Sequence, residues 1–515
     1  MATPYYITTA IDYTNAPPHL GHAYEKIAAD VLARWHRLLG EDVFFLTGVD
    51  EHGVKIEKAA AAEGISPRDF VGRISPQFVS TWATLGVRYD RFIRTTDAFH
   101  EQAVQTAFAR LVAQGDVDKA TYEGLYCAGC EEFKNERDLI DGRCPNHDAA
   151  PQPFSEENYV LRISRYRDRI RHHIDTHPEF IQPESRRNEI LNLLDSFPDV
   201  SVSRQKVRWG IPVPGDESQV IYVWIDALLN YLTGIGWGWD EASFQRYWPA
   251  AVHIVGKDIM KFHCIIWPTI LMALDLPLPR TIHGHGWVSI GDQKMSKSLG
   301  NVVEPNALAT QYGADALRYY LMREITYGKD GAYTFDLFKV RVNADLANNL
   351  GNALNRTLGM LEKQFDGVVP DDLPALTAEL AARVRDTQQQ VAAHMAGYEI
   401  QEALETIWRL IDAVNKFIDV QAPWALAKAG EREKLAGVLY GVLESLRGVA
   451  ILVSPFIPAL AAQMWDQLGL DRPLDEQRLS DLAWGGLTSG TRTRKAGPVY
   501  PRIEDALAEA GAKKK

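Results

Sequence analysis

The sequence predicts an α/β protein built on a doubly wound parallel sheet, with an inserted segment and an all-α helix bundle after it. Three observations support this prediction. The first hundred residues alternate strand-like and helix-like patterns. The middle of the chain is irregular and holds three of the four cysteines, and almost everything after about residue 335 has helical periodicity. In an open parallel sheet, ligands bind beyond the carboxyl ends of the strands.

The sheet is predicted to begin with the β-forming run 5–10 and to continue through the apolar run 43–46. Between them, a helix at 21–39 places Ile27, Val31, Leu32, Trp35 and Leu39 on one face, and Gly40 suits its C-cap. A β–α pattern returns at 220–224 and at 253–255. We therefore expect one sheet domain in two halves, separated by the irregular segment.

The C-terminal third repeats apolar residues at helical spacing. One face carries Leu404, Ile407, Trp408, Ile411, Val414 and Ile418. Similar patterns run through 341–365, 373–395 and 433–453. These segments predict a helix bundle.

Composition excludes several classes of protein. The chain has 515 residues, 46% hydrophobic and 24% charged, with a formal net charge of −12. These values are typical of a soluble globular protein and disfavour disordered chains, sequence-blind nucleic-acid coats and polybasic membrane binders. Four cysteines are too few for a disulfide scaffold. The sequence shows no signal peptide, and its most apolar stretch is shorter than the ~20 residues of a membrane span, so we expect a cytoplasmic protein.

Two separate motifs suit a polyphosphate. The segment containing His19, Gly21 and His22 connects a predicted strand to the helix that follows, where backbone N–H groups and the helix dipole favour an anion. The second motif is a glycine-flanked stretch of two lysines and two serines: Lys294, Met295, Ser296, Lys297 and Ser298. Each motif alone has an ordinary explanation, the first as a helix cap and the second as a solvated basic turn.

Together, in this order, the two motifs resemble the signature motifs of the class I aminoacyl-tRNA synthetases. Other segments suggest which amino acid is activated. The run 222–231 places Trp224, Ala227, Leu228 and Tyr231 on one helical face, and the run 256–263 adds Ile259, Phe262 and His263. An apolar, aromatic cluster with a few polar tips suits a flexible thioether, although such residues are often simply core.

From residues 10–22 through Asp50-Glu51-His52-Gly53 to the terminal bundle, the sequence is similar to the methionyl-tRNA synthetases. The resemblance implies that Asp50 holds the substrate ammonium. It places His19, Gly21, His22 and the 294–298 stretch at ATP, with His19, His22, Lys294 and Lys297 as the catalytic groups. It assigns these residues to methionine: Ala10, Ile11, Tyr13, Asp50, Trp224, Ala227, Tyr231, Ile259, Phe262 and His263. Tyr231 would offer its hydroxyl to sulfur, and Leu228 departs from relatives that carry proline.

The insertion contains a predicted metal site. Cys127 and Cys130 form one C-x2-C pair, and Cys144 and His147 form a C-x2-H pair. Three thiolates and one imidazole complete a tetrahedral zinc site with no open position, so the ion would be structural. Cys264 lies in an apolar segment and is expected to be a buried, inert thiol.

Three residues of the helical region are candidates for anticodon recognition. Asn352 and Arg356 are spaced i, i+4, and Trp424 follows Pro423. Stacking and edge contacts from such side chains serve single-stranded bases, whereas without context they would be a surface pair and a core tryptophan. The resemblance implies that these three positions recognise the anticodon.

The resemblance also divides the chain. It implies a Rossmann-like nucleotide-binding domain at 1–115 and 219–290 and a zinc-bearing connective insertion at 116–218. A signature-loop and stem-contact region follows at 291–340, and an all-α anticodon-binding domain at 341–515. The expected enzyme activates L-methionine with ATP and Mg2+, charges initiator and elongator methionine tRNA, and works without a membrane. We expect a monomer, because no further dimerising module follows the bundle.

Three alternatives stay open from the sequence. A synthetase for another amino acid, best cysteine, would place zinc at its substrate thiol, which a fully protein-ligated site disfavours. A nucleotidyltransferase that never touches tRNA would have no use for the helix bundle. A non-catalytic tRNA-binding descendant would not need His19, His22, Lys294 and Lys297.

Overall fold

The computed structural model describes residues 2–127, 132–134, 139–145, 149–290, 293–294 and 303–504. The strands are β1 (Pro4–Thr9), β2 (Asp12–Tyr13), β3 (Asp42–Asp50), β4 (Arg91–Arg94), β5 (Val117–Cys127), β6 (Glu132–Lys134), β7 (Gln152–Leu161), β8 (Ile181–Gln182), β9 (Val200–Ser201), β10 (Ser203–Arg204), β11 (Pro212–Val213), β12 (Asp216–Ile221), β13 (Ala251–Gly256), β14 (Thr281–His285), β15 (Val288–Ile290), β16 (Gln293–Lys294) and β17 (Gly331–Tyr333).

The helices are α1 (Leu20–Leu38), α2 (Val54–Glu63), α3 (Pro67–Thr84), α4 (Ala98–Ala113), α5 (Arg167–Thr176), α6 (Glu184–Leu194), α7 (Val223–Thr233), α8 (Glu241–Tyr247), α9 (Trp267–Ala273), α10 (Pro305–Tyr312), α11 (Ala314–Glu324), α12 (Phe335–Val342), α13 (Asn352–Phe365), α14 (Pro374–Ala396), α15 (Ile400–Gln421), α16 (Pro423–Ala429), α17 (Arg432–Val453) and α18 (Pro458–Gln467). Short π-helical turns at Phe262–Ile266 and Asn343–Gly351 precede α9 and α13.

A seven-stranded parallel sheet forms the centre of the α/β part of the chain. Its strand order is β2-β3-β1-β13-β14-β8, and β4 also pairs with β3. Strand β1 lies between β3 and β13, as expected for a buried, β-rich run, and its pairing with β13 joins the two halves of the sheet. The predicted parallel α/β domain followed by a helical domain is confirmed.

Strand β12 differs from the sequence expectation. It pairs antiparallel with β10 and β11 in a separate three-stranded sheet, so the β–α pattern at 220–224 does not extend the parallel sheet. The cause is local, because a tight turn at Gly215, with φ of 77°, folds β12 back onto β11. Leu39 also differs: it lies just past the end of α1 and is 41% exposed.

The irregular segment forms its own antiparallel sheet, with strand order β6-β5-β7-β9. Strands β5 and β7 pair from Val117↔Leu161 to Tyr126↔Gln152. This sheet carries the start of the predicted metal site, since Cys127 is the last residue of β5.

The C-terminal helices pack as the periodicity predicts. The apolar face predicted on α15 is buried, including Leu404, Ile411 and Val414 at 0% exposure. Helix α17 is long and apolar enough to cross a membrane by length and composition, but 94% of its most apolar window is buried within the protein. It is the central helix of the bundle. Its Glu444 accepts backbone N–H bonds from 485–487 and pairs with Arg447, which fastens the C-terminal segment to the bundle.

A buried ion pair joins the two halves of the molecule. Arg318 of α11 donates to Asp30 of α1 at 2.7 Å and to the carbonyls of Pro455 and Phe456 at 3.0 and 2.8 Å, and both charged side chains are fully buried. Asp30 also accepts from Arg34 at 2.7 Å. Burial would raise the pKa of Asp30, but these two arginines hold it below its usual range.

We expect Arg318→Met to lower the free energy of unfolding by about 3 kcal/mol, near the lower end of the cost of breaking a buried pair, because Arg34 still neutralises Asp30. Chemical denaturation followed by circular dichroism measures the change. Arg383→Met is the matched control: it removes an exposed pair with Glu379, worth less than about 1 kcal/mol. Equal losses in the two variants would contradict a specific role for Arg318.

Candidate active site

The carboxyl edge of the parallel sheet opens into two adjoining hollows. The larger, a cleft of about 420 Å³, lies between the start of α1 and the ends of β13 and β14. The smaller, of about 130 Å³, lies between β3 and α7. Both are lined by Ala10, Ile11, Tyr13, Trp224 and Ile259, so the two spaces share a wall. The arrangement suits a ligand with one large polar part and one small apolar part.

His19 and His22 lie at the mouth of the cleft and cap α1. Nδ1 of His19 accepts from the backbone N–H groups of Gly21 and His22, and Nδ1 of His22 accepts from the backbone N–H of His19. The two rings stack with centroids 3.7 Å apart. An Nδ1 that accepts carries no proton, so in the neutral ring the proton is on Nε2. The cap therefore makes Nε2 of each ring a hydrogen-bond donor, which suits a phosphate oxygen.

Nine of the ten residues assigned to methionine line the smaller hollow: Ala10, Ile11, Tyr13, Asp50, Trp224, Ala227, Tyr231, Ile259 and His263. The tenth, Phe262, stacks on Trp224 with ring centroids 3.8 Å apart and planes 6° from parallel. Leu228 and Val223 complete the wall on α7. The hollow is thus mainly apolar and aromatic, with the carboxylate of Asp50 at one side.

Tyr231 and His263 form a hydrogen-bonded pair in the wall of the smaller hollow. The Tyr231 hydroxyl lies 2.8 Å from Nε2 of His263, and Nδ1 of His263 lies 2.9 Å from the carbonyl of Ile259. Burial lowers the pKa of His263 to about 4, so the ring is neutral at pH 7. Since Nδ1 donates to the carbonyl, Nε2 must accept the hydroxyl proton. The Tyr231 hydroxyl therefore donates its proton to His263, and only its oxygen lone pairs remain to face a sulfur. The sequence predicted a contact between this hydroxyl and sulfur but not that the proton is already used.

A buried charged network beneath the cleft was not predicted from the sequence. Lys26 donates to the carbonyl of Ala10 at 2.8 Å, to Asp12 at 2.7 Å and to Glu25 at 2.8 Å, and Glu25 also contacts His285 at 3.0 Å. Burial would raise the pKa of Glu25, but Lys26 and His285 hold it below its usual range. Burial raises the pKa of Asp12 to about 7. The network fixes the backbone at residue 10, which lines both hollows.

Lys55 also was not predicted from the sequence. It lines both hollows, and its ammonium lies 5.5 Å from the centroid of the Tyr13 ring. The sequence feature that could have identified Lys55 is its position in the first turn of α2, directly after the motif at 50–53. That turn needs Gly53, whose φ of 112° is unfavourable for other residues.

The second phosphate motif falls largely outside the described residues. The backbone of Lys294 belongs to β16, next to β15, while Met295, Ser296, Lys297 and Ser298 are not described. Strand β15 follows the end of β14, and Val288 lines the cleft. The chain therefore passes from the cleft wall at Val288 through β15 towards the motif.

Two of the four predicted zinc ligands are described. Cys127 and Cys144 are both buried, with 2% and 0% exposure, whereas Cys130 and His147 lie outside the described residues. Within the part of the chain that the structure describes, no group of three or more metal-ligating side chains occurs. Two buried thiols fit the donor chemistry of a closed zinc site. Burial raises the pKa of the Cys264 thiol well above its usual value, as expected for an inert cysteine.

The three anticodon candidates share one exposed surface. Asn352 and Arg356 lie one turn apart on α13, and the Arg356 guanidinium lies 5.6 Å from the centroid of the Trp424 ring. Trp424 is 47% exposed, so it is not a core tryptophan. It is the second residue of α16, a short helix that follows Ala422, whose φ of 42° is left-handed. An arginine beside an exposed indole makes a surface on which a base can stack.

Comparison with known proteins gives a consistent result along the chain. A family model described as class I tRNA synthetases (M) matches residues 5–153 and 138–358, and a model of the anticodon-binding domain of methionyl-tRNA ligase matches 367–514. The methionine–tRNA ligase of Caldanaerobacter subterraneus subsp. tengcongensis is 46% identical over 520 residues, covering 100% of this chain and 81% of that protein. The chain belongs to the methionyl-tRNA ligase family of class I tRNA synthetases.

Other relatives agree. The methionine–tRNA ligase of Clostridium perfringens is 46% identical over 99% of this chain and 80% of its own length. Among solved structures, Mycobacterium tuberculosis methionyl-tRNA synthetase in complex with methionyl-adenylate has 40% identity and a TM-score of 0.93, covering 97% of this chain and 100% of that one. Family membership confirms the resemblance and disfavours the cysteine-synthetase and nucleotidyltransferase alternatives.

Proposed function

We propose that this chain activates L-methionine with ATP to methionyl-adenylate and transfers the methionyl group to the 3′ end of methionine tRNA. The observation that carries this proposal is the pair of adjoining hollows: one is apolar with a carboxylate, and the other is bordered by two histidine donors. The structural relative that binds methionyl-adenylate has the same fold over 97% of this chain. Methionyl-adenylate has one apolar and one nucleotide part, as the two hollows require.

In the first step, the methionine carboxylate attacks the α-phosphate of ATP and pyrophosphate leaves. Asp50 holds the substrate ammonium, and the thioether packs among Trp224, Ala227 and Ile259. Nε2–H of His19 and of His22 donates to phosphate oxygens, while Lys294 and Lys297 are assigned to the same triphosphate. Mg2+ bound with ATP supplies further neutralisation of phosphate charge. Catalysis in such a step is mainly positioning and charge stabilisation.

The direct test of the first step is ATP–pyrophosphate exchange with each of the twenty amino acids. We expect exchange with methionine and a loss of about 10²–10³ in kcat for His22→Ala, because one preorganised donor to the phosphates is removed. His172→Ala, an exposed histidine of the insertion, is the matched control and keeps full exchange.

Exchange driven by another amino acid, or none with methionine, would overturn the substrate. A non-catalytic descendant would show no exchange at all. Thermal unfolding of His22→Ala checks that its loss of activity is not a loss of fold, since His22 also caps α1.

The second step transfers the acyl group to tRNA, and the helical domain selects the tRNA. Asn352, Arg356 and Trp424 are assigned to the anticodon bases, with the Trp424 indole as a stacking surface and the other two as edge contacts. These residues lie in the helical C-terminal third of the chain and do not line the two hollows. Initiator and elongator methionine tRNAs carry the same anticodon, and both are proposed as substrates.

We expect Trp424→Ala to lower kcat/KM for tRNA charging roughly tenfold or more, because stacking of one base contributes about 1–3 kcal/mol. Methionine-dependent exchange should be unchanged. Trp239→Ala is a matched control, since Trp239 is 45% exposed and the Arg91 guanidinium lies 4.8 Å from its ring centroid. Because the Trp239 indole also donates to the carbonyl of Thr233 in α7, charging in each variant is expressed relative to its methionine-dependent exchange. Loss of both activities in Trp424→Ala, or equal loss of charging in the two variants, would contradict the assignment.

A structural zinc ion is proposed for the insertion, held by Cys127, Cys130, Cys144 and His147. The support is the donor set and the burial of the two described thiols. The ion would stiffen the end of the β5–β7 sheet, and no chemical step passes through it. The enzyme is proposed to act in the cytoplasm as a monomer. Its formal net charge of −12 is compatible with a soluble protein.

Zinc content tests the metal proposal. We expect one zinc per chain by inductively coupled plasma mass spectrometry, its loss in Cys144→Ser, and its retention in Cys264→Ala, a buried cysteine outside the set. The zinc-free variant should unfold at a lower temperature, because metal binding contributes to folding. Full zinc occupancy in Cys144→Ser would remove that residue from the site.

A further inference from the structure

A chain of buried hydrogen bonds lies behind the amino-acid hollow. Asp226 of α7 contacts Nδ1 of His52 at 2.7 Å through one carboxylate oxygen and Nε2 of His100 at 2.7 Å through the other. Nδ1 of His100 lies 2.7 Å from the hydroxyl of Thr233, at the end of the same helix. His52, His100 and Asp226 are at most 3% exposed. One carboxylate therefore joins three elements: the turn after β3, α4 and α7.

The elements joined in this way carry the walls of the hollow. Helix α7 supplies Trp224, Ala227 and Tyr231 on its opposite face. The backbone N–H of His52 lies 3.3 Å from the carboxylate of Asp50, which is the group assigned to the substrate ammonium. His52 thus contacts Asp50 with its backbone and α7 with its ring.

This inference rests on the proposed function. We propose that His52 and Asp226 are positioning residues that set the width of the amino-acid hollow and the orientation of Asp50, and so determine affinity and selectivity for methionine. Neither side chain lines the smaller hollow, so both act through the residues that do. Helix α7 is held from behind at Asp226 and Thr233, two turns apart.

Charge strengthens the link between β3 and α7. Burial would lower the pKa of His52, but Asp226, Glu101 and Glu51 raise it above its ordinary value. Burial would raise the pKa of Asp226, but His52 and His100 lower it. The other groups facing His52 are Trp209, with ring centroids 5.4 Å apart, and Arg204, across a small hollow. Because the pKa of His52 is raised, its charge is present at low pH and is lost as pH rises through that raised value.

The test separates geometry from charge with two variants of one residue. His52→Leu removes the donor to Asp226. His52→Asn keeps a donor at the position of Nδ1 but cannot be charged. In methionine-dependent exchange we expect His52→Leu to raise KM for methionine at least tenfold with KM for ATP within twofold, and His52→Asn to restore methionine KM to within about threefold of wild type.

Selectivity and pH dependence supply readouts that a loss of stability would not move. We expect the preference for methionine over ethionine, one methylene longer, to fall at least threefold in His52→Leu, because α7 is no longer held. The wild type should show a rise in methionine KM on the alkaline side that His52→Asn lacks, since methionine itself titrates alike in both. Gln102→Ala, which changes an exposed side chain of α4, is the control and should change methionine KM less than twofold.

If His52→Leu does not fold, the isosteric Asp226→Asn carries the test, with a several-fold rise in methionine KM expected. Unchanged methionine KM and ethionine selectivity in folded variants would overturn the positioning role, as would a His52→Asn no better than His52→Leu. A wild type active with methionine separates these outcomes from failure of the proposed function, which would appear as no methionine-dependent exchange in the wild type itself.

Discussion

The carboxyl ends of neighbouring parallel strands determine where chemistry can occur in this chain. Strands β1, β3, β13 and β14 end together, at Thr9, Asp50, Gly256 and His285. Their backbone pairing is parallel and in register, so the residues that follow each strand are placed side by side although they are separated by up to 276 positions, the difference between residues 285 and 9. Both hollows lie at this edge. A shift of one strand would separate the histidine cap from the aromatic wall.

Helix α1 connects this edge to the rest of the molecule. Its N-cap and first turn carry His19 and His22, its second turn carries Lys26, and its middle carries Asp30. Lys26 fastens the helix to the backbone at residue 10, and Arg318 fastens it to the helical domain. Both attachments are made by charged groups in a buried environment, where losing one partner leaves the other uncompensated. The position of the phosphate donors therefore depends on contacts well outside the cleft.

The sequence was sufficient to predict the elements that depend on hydrophobic pattern. The runs 5–10, 21–39 and 43–46 correspond to β1, α1 and β3, and the apolar face at 404–418 corresponds to the buried side of α15. Pattern could not reveal pairing, which is why the strand at 216–221 was expected to continue the parallel sheet. The turn at Gly215 returns the chain antiparallel to β11, and the apolar pattern of the strand carries no record of that turn.

The candidate site was predictable where residue type alone implies chemistry. Nine of the ten residues assigned to methionine line one hollow, but the buried charges around them were not foreseen. Lys26, Glu25 and Asp226 occupy positions in helices where a charged residue ordinarily faces water, and only the tertiary structure supplies their partners. The zinc site was inferred from spacing, and half of its ligands lie outside the described residues.

The histidine cap has a consequence for how the cleft meets an anion. Two backbone N–H groups of the first turn are already satisfied by Nδ1 of His19, and the backbone N–H of His19 is satisfied by Nδ1 of His22. These N–H groups cannot also bind a phosphate without breaking the cap. The anion must then meet the Nε2–H donors of the two rings, which extend the positive end of the helix by the width of an imidazole. A cap made by aspartate would satisfy the same backbone groups but would present no donor beyond them, so histidine at both positions turns a structural cap into a binding group.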